Sequence, residues 1–278
     1  MSHVQAPERG RSHLLPFIDQ LSRLPYWLLV SLLAGVLLLW SIVSDQDNRV
    51  IFNAVSQGIG TTVYVSLVAY SLAMLLGLFL SLMRVFKSRL TQELSSFYTE
   101  IMRGVPMLVL LYYISFVGAP ALVNGLNWLN GPLIEAGWVE EISIRQLDFT
   151  WRAIFALTLG YSAFIGEIFR SGILSIDKDQ TEAGQVEGAT YGQIMRYIIL
   201  PQAVRNILPA LGNEFIAILK DSALVSALGV QDITQLGKVY SASTFKFFQT
   251  YNVVAFLYLV MTMGLAALLR LVEKYLKR

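Results

Sequence analysis

Four polar side chains fall inside one otherwise apolar stretch, Ile207 to Val230: Asn213, Glu214, Lys220 and Asp221. Glu214 and Asp221 are seven residues apart, so on an α-helix they share a face with Ala217 between them. Asn213 and Lys220 share a neighbouring face by the same spacing. A charge within a bilayer costs about 2.5–3.5 kcal/mol and is usually paired or functional. Such a strip therefore faces a partner helix or an aqueous path rather than lipid. Two readings stand. Either the strip lines a path for a polar solute, or its role is structural: Lys220 pairs with a carboxylate, or Asp221 stabilises a helix break. Another apolar stretch holds Tyr161, Glu167 and Arg170. Glu167 and Arg170 are three apart and can pair, as an interfacial ion pair or as a contact to a solute or gate.

Other chemistry is excluded by composition. There are no cysteines, and the two histidines, His3 and His13, lie in the N-terminal tail. The body thus has no thiolate or histidine metal site and no nucleophile–base pair, and no cofactor is expected. It also lacks the glycine loop ending in Lys-Ser/Thr that cradles nucleotide phosphates, so ATP hydrolysis is not expected of this chain.

A third candidate region is polar where its flanks are apolar: "TEAGQVEGATYGQIMRYIILPQA", Thr181 to Ala203. The pattern predicts a helix over Ile176 to about Val186, with Asp177 or Asp179 capping its start. Gly188 offers a bend. A second helical piece, Tyr191 to Ile199, presents Ile194, Tyr197 and Ile198 on one side, and Leu200-Pro201 is expected to stop it. The unit is either a knob shaped for a soluble partner or an amphipathic linker lying on a membrane.

The elements that position these groups follow from hydropathy. Of 278 residues 55% are hydrophobic and only 14% charged, against about 25% charged in a soluble domain. A membrane-crossing helix needs about 20 apolar residues. Six segments qualify or nearly do: Tyr26–Val43, about Gly60–Met83, Pro106–Val123, Trp151–Ile173, Ile207–Val230 and Val253–Val272. The first reads as a retained anchor, because its apolar run is long and Ser41–Asp47 is a poor cleavage site. Basic residues favour the cytoplasmic side. One side collects Arg9, Arg11, Arg23, Arg84, Lys87, Arg89, Arg103, Arg170, Lys178, Arg196, Arg205, Arg270, Lys274, Lys277 and Arg278. The other has only Arg49, Arg145, Arg152, Lys238 and Lys246. This predicts both termini in the cytoplasm, the Thr181–Ala203 loop on the same side, and an external loop from about Asn124 to Phe149. That loop carries Glu135, Glu140, Glu141 and Asp148, with Trp128 and Trp138 suited to an interface. Gly58, Gly60 and Gly77 are expected to allow close helix packing.

The loop carries a spacing that resembles the coupling motif of permease subunits of ATP-binding-cassette importers: Glu-Ala-Ala, three residues, Gly, nine residues, Ile, one residue, Leu-Pro. Here Glu182-Ala183-Gly184 is followed by three residues, Gly188, nine residues, Ile198, one residue and Leu200-Pro201. The one departure is glycine for the second alanine, at Gly184. "EGA" at Glu187 does not fit this spacing. The flanks "SAFIGEIFRSGILSIDKDQTEA" and "LPQAVRNILPALGNEFIAILKDSALVSALGV", and "RGVPMLVLLYYISF" at Arg103 to Phe116, resemble polar amino acid permeases. The likeness runs from about Ala54 to the C-terminus.

The resemblance implies an all-α, polytopic membrane protein with about six transmembrane helices, a type I importer permease fold and a cytoplasmic coupling helix. Residues 51–278 would be the importer domain, with the coupling loop at about 176–201, and residues 1–50 a tail and an extra helix. Glu182, Ala183, Gly184, Gly188, Ile198, Leu200 and Pro201 would couple to a separate ATPase. A solute path would draw on Asn213, Glu214, Lys220, Asp221, Ser222, Tyr161 and Glu167, since a zwitterionic amino acid needs both signs of charge. Lys220-Asp221-Ser222 is similar to a Lys-Asp/Ser-Thr-Ser region of that family. The implied partners are ATPase subunits, a second permease (identical or paralogous), an external amino acid binding protein, a polar amino acid and the lipid bilayer. Nucleic acid is not among them. The implied location is a bacterial inner membrane. The competing reading is an ion-coupled secondary transporter, in which Glu214 and Asp221 would be the coupling acids.

Overall fold

The computed structural model describes residues 26–85 and 88–276. His3, His13, Arg9, Arg11, Arg23, Lys87, Lys277 and Arg278 lie outside the described residues. Among the described residues the chain is helical with no strand. It falls into two compact units, Met1–Arg49 and Val50–Arg278. In the first, α1 (Tyr26–Ser44) leads into the start of α2 (Gln46–Ser56). Asn48 closes that joint, its side-chain amide donating to Ser41 Oγ at 2.9 Å.

The second unit continues with α3 (Ile59–Val85), α4 (Arg89–Gly104), α5 (Met107–Tyr113), α6 (Ala119–Leu129) and the short α7 (Gly131–Glu135). Then come α8 (Phe149–Leu174), α9 (Lys178–Val186), α10 (Tyr191–Ile194), α11 (Leu200–Asp221), α12 (Ile233–Thr244) and α13 (Phe247–Leu276). Among the described residues four stretches are long and apolar enough to cross a membrane: Gln46–Arg84, Met107–Leu129, Phe149–Leu174 and Phe247–Lys274. They contain the second, third, fourth and sixth expected spans. The fifth lies on α11, which Arg205, Asn213, Glu214, Lys220 and Asp221 make too polar for that class. In the first, Leu33–Ser44 stands as a shorter apolar helix within α1.

α8 is the central helix. It packs along α3, and is also contacted by α4, α5 and α11. Between helices in lipid the hydrophobic effect supplies no drive, so close contact of small residues must. Ala69, Ala73 and Gly77 recur every four residues on α3, and both alanines are fully buried. At Gly77 an added Cβ would lie 2.9 Å from the Gly166 nitrogen and 3.0 Å from the Ser162 carbonyl. Gly58 also permits close approach, since a Cβ there would run into the Asp232–Ile233 backbone. Gly60 departs from expectation: a Cβ there would meet nothing within 4 Å. Tyr70 Oη donates to the Leu211 carbonyl at 3.0 Å, joining α3 to α11. Tyr98 Oη donates to the Leu159 carbonyl at 2.9 Å, joining α4 to α8. Buried Asp232 caps α12, accepting from the amides of Gln235 at 2.8 Å and Thr234 at 3.2 Å. Burial raises its carboxyl above the usual range, against those hydrogen bonds.

Among the described residues two π-helical turns interrupt the helices, Ile114–Gly118 between α5 and α6 and Met195–Ile199 between α10 and α11. Each stands just before a proline in the first turn of the next helix, Pro120 and Pro201. A proline ring crowds the carbonyl four residues back and offers no N–H, and a widened turn relieves that crowding. The expected stop at Leu200-Pro201 is therefore overturned. Leu200 keeps helical angles (φ −59°, ψ −43°), and the helix runs without a break from Tyr191 to Asp221.

Candidate functional site

The Ser175–Ile199 loop is a folded unit. α9 begins at Lys178, two residues later than expected, and Asp177 stands at its N-cap without a side-chain capping bond. Its C-terminus is closed by Gly188, whose φ is +82°. The Ala189 amide donates to the Gly184 carbonyl at 3.0 Å, the six-to-one bond of a Schellman cap, which favours glycine at position 188. Thr190 then opens α10 with a capping box: its amide donates to Gln193 Oε1 at 2.8 Å, and its Oγ1 accepts from the Gln193 amide at 3.4 Å.

Gly184, the departure from the alanine pattern, is where α9 meets the rest of the loop. It is buried, and a Cβ there would stand 2.9 Å from Ile194 Cγ1 and 3.3 Å from Ile198 Cδ1. Ile194 is fully buried, so these isoleucines fix the angle between α9 and the helix that follows. Glu182 and Ala183 point outward and are exposed, as is Val186, with 89% of its surface accessible. Tyr191, Tyr197 and Leu200 add exposed apolar surface. Of the expected coupling residues, Gly184, Gly188 and Ile198 shape the unit, while Glu182, Ala183, Leu200 and Pro201 are exposed.

The other end of the same continuous helix borders a cavity of about 390 Å³. Tyr161 and Phe164 of α8 and Glu214, Ala217 and Asp221 of α11 line it, together with Met102–Arg103 and Val105–Met107. Glu214, Ala217 and Asp221 share one face, as their spacing requires. Tyr161 Oη donates to Asp221 Oδ2 at 2.9 Å. The Arg103 guanidinium stands 5.5 Å from the centre of the Phe164 ring. The cavity thus offers two carboxylates, a guanidinium and a phenol within an apolar wall, a composition that can hold a small molecule carrying both charges.

The remaining expected path residues are placed elsewhere. Asn213 and Lys220 are exposed and outside this cavity, and Ser222 is buried with its hydroxyl donating to the Leu219 carbonyl at 2.8 Å. Glu167 pairs with Arg170, as its spacing suggests, and also accepts from Arg84 of α3 at 2.7 Å. Arg84 further donates to the Ser95 carbonyl of α4 at 3.4 Å. This cluster ties three helices together at the end of α8 that leads into the loop. Sequence reasoning missed Arg84 and Arg103 as site residues. Neither has a local spacing signal, since their partners are brought to them only by the fold.

Comparison with known proteins places this architecture. The family described as "Binding-protein-dependent transport system inner membrane component" matches residues 73–278. The arginine transport system permease protein ArtQ of Bacillus subtilis (strain 168) is 32% identical over 221 residues, 80% of this chain and 91% of that one. The glutamine transport system permease protein GlnP of Escherichia coli (strain K12) is 29% identical, over 80% of this chain and 92% of its own. Among solved structures, an amino acid ABC transporter crystallised with histidines is 34% identical, with a TM-score of 0.68 over 84% of this chain and 98% of that one. The inward-facing methionine transporter MetNI, 20% identical, shares the fold with a TM-score of 0.60 over 81% of this chain and 97% of that one. The chain belongs to the family of inner membrane components of binding-protein-dependent transport systems.

Proposed function

We propose that this chain is the membrane-spanning permease subunit of an ATP-driven importer of polar amino acids, coupled to a separate ATPase through α9. Residues 51–278 form the importer domain, and residues 1–50 add a tail and an extra helix. Both termini and the Glu182 loop lie in the cytoplasm, while the 130–148 loop lies outside, where a binding protein delivers the solute. Two permease subunits enclose the path, and the chain hydrolyses no ATP itself.

The observation that carries this reading is continuity. Exposed Glu182 sits on α9, which is packed through Gly184 against Ile194 and Ile198 of the next helix, and that helix runs from Tyr191 to Asp221 at the cavity. An ATPase cleft that grips α9 therefore moves a lever whose far end carries Glu214 and Asp221. Binding of nucleotide to the ATPase pair then shifts the permease between inward- and outward-open states, by its different grip on the two. The solute reading rests on the charges of the cavity and on the names of the similar proteins.

The test is co-purification. The tagged chain, extracted in mild detergent, is expected to retain an ATPase subunit, and Glu182→Arg is expected to release it with membrane insertion intact. Solute uptake by this chain in liposomes lacking any ATPase would instead favour an ion-coupled transporter.

A further inference from the structure

Arg152, on the first turn of α8, is 9% exposed and forms no ion pair among the described residues. Its guanidinium instead gathers three carbonyls. Nε donates to Leu147 at 2.7 Å and Nη2 to Ile144 at 2.8 Å, both in the 130–148 loop. Nη1 donates to Ser115 at 3.3 Å, in the π-turn between α5 and α6. The side chain also lies over the Phe149 ring, 4.6 Å from its centre.

The Ser115 contact has a specific cause. In a π-turn each carbonyl looks to the amide five residues on, as Ile114 does to Ala119. For Ser115 that residue is Pro120, which has no N–H. Arg152 supplies the donor that Pro120 cannot. The Ser115 hydroxyl beside it is buried without a hydrogen-bond partner, so the turn is held incompletely satisfied. A buried cation is an expensive way to fix a loop, and an apolar residue of similar volume is often as stabilising. Its geometry does what an apolar residue cannot: one planar fork joins the loop to the proline-broken turn of a different membrane helix.

The loop is otherwise stitched independently. Asn127 exchanges two hydrogen bonds with Ile142, at 2.9 and 3.0 Å, and Asp148 caps α8 by accepting from the Trp151 amide at 2.9 Å. The Asn127 stitch stays within the loop and its root on α6. Arg152 reaches the π-turn by a hydrogen bond, beside the Phe149 ring, which packs edge-on against Phe116 of that turn with centres 5.8 Å apart.

We infer that Arg152 is a positioning residue, a hydrogen-bonded link through which a protein docking on the 130–148 loop acts on the Ile114–Gly118 turn in the middle of the Met107–Leu129 helix. This rests on the importer reading above, in which an external binding protein engages that loop. The test uses the complex reconstituted with its co-purified ATPase, into which an amino acid binding protein that stimulates the wild type is titrated while the ATPase rate is read. Arg152→Gln and Arg152→Lys are expected to lower the maximal stimulated rate at least fivefold while half-saturation stays within twofold. Lysine keeps the charge but not the fork, so it is not expected to rescue. Asn127→Ala is expected to shift half-saturation and leave the maximum unchanged. If Arg152→Lys matches the wild type, or if Arg152 and Asn127 variants change only half-saturation alike, the inference is overturned. Should Arg152→Gln fail to assemble, the lysine variant carries the test. A wild-type complex that no binding protein stimulates would count against the importer reading itself, which separates the two failures.

Discussion

Gly184 and Ile194 are packed together across the Gly188 bend, with Ile194 Cγ1 only 2.9 Å from where a side chain at 184 would begin. The glycine that departs from the family's alanine pattern is therefore matched by a residue that needs its space. In Gly184→Ala, alanine's helix preference, worth about 1 kcal/mol, opposes an overpacking cost of about 1–3 kcal/mol. The cost wins because Ile194 is β-branched and fully buried. Hydrogen exchange at the Ala189 amide, bonded to the Gly184 carbonyl, is expected to quicken several-fold. Adding Ile194→Ala is expected to restore part of the protection, and an unchanged exchange rate in Gly184→Ala would contradict the contact.

The Arg84–Glu167–Arg170 cluster yields a second expectation. Glu167→Gln leaves two guanidiniums without their carboxylate, Arg84 with a side chain only 14% exposed. A loss of about 2 kcal/mol is expected, between values for charged hydrogen bonds and for exposed pairs. A double-mutant cycle with Arg84→Met, read on the thermal unfolding of the detergent-solubilised chain, is expected to show the two changes costing less together than their sum. Strict additivity would show that the pair is not coupled.

Inside the cavity, Tyr161→Phe removes the hydroxyl that bonds Asp221. A hydrogen bond of this kind is worth about 1 kcal/mol, so KM for uptake is expected to change by roughly fivefold with kcat less affected. Asp221→Asn is expected to change KM more. Uptake kinetics over a panel of neutral and cationic amino acids checks both, and unchanged KM values would place the solute elsewhere.

How much of this was legible in the sequence depended on range. Gly188 as a bend, the Glu167–Arg170 pair and the shared face of Glu214 and Asp221 follow from local spacing, and the structure has all three. The stop at Pro201 did not hold, because the turn before it, Met195–Ile199, widens and relieves the crowding by the ring. Lys220 follows the same seven-residue rule as Asp221 yet lies outside the cavity, since periodicity gives a face but not its neighbour. Arg84, Arg103 and Arg152 were invisible as site residues because their partners lie on other helices or loops.

Whether α9 transmits the ATPase cycle to the cavity is read from ATP-driven uptake. The complex, reconstituted in liposomes with its ATPase and binding protein, is expected to accumulate amino acid only with ATP. Glu182→Arg and Gly188→Pro are expected to reduce that uptake at least tenfold while the chain still inserts and the cavity residues are untouched. Uptake by both variants at the wild-type rate would show that α9 does not transmit the ATPase cycle.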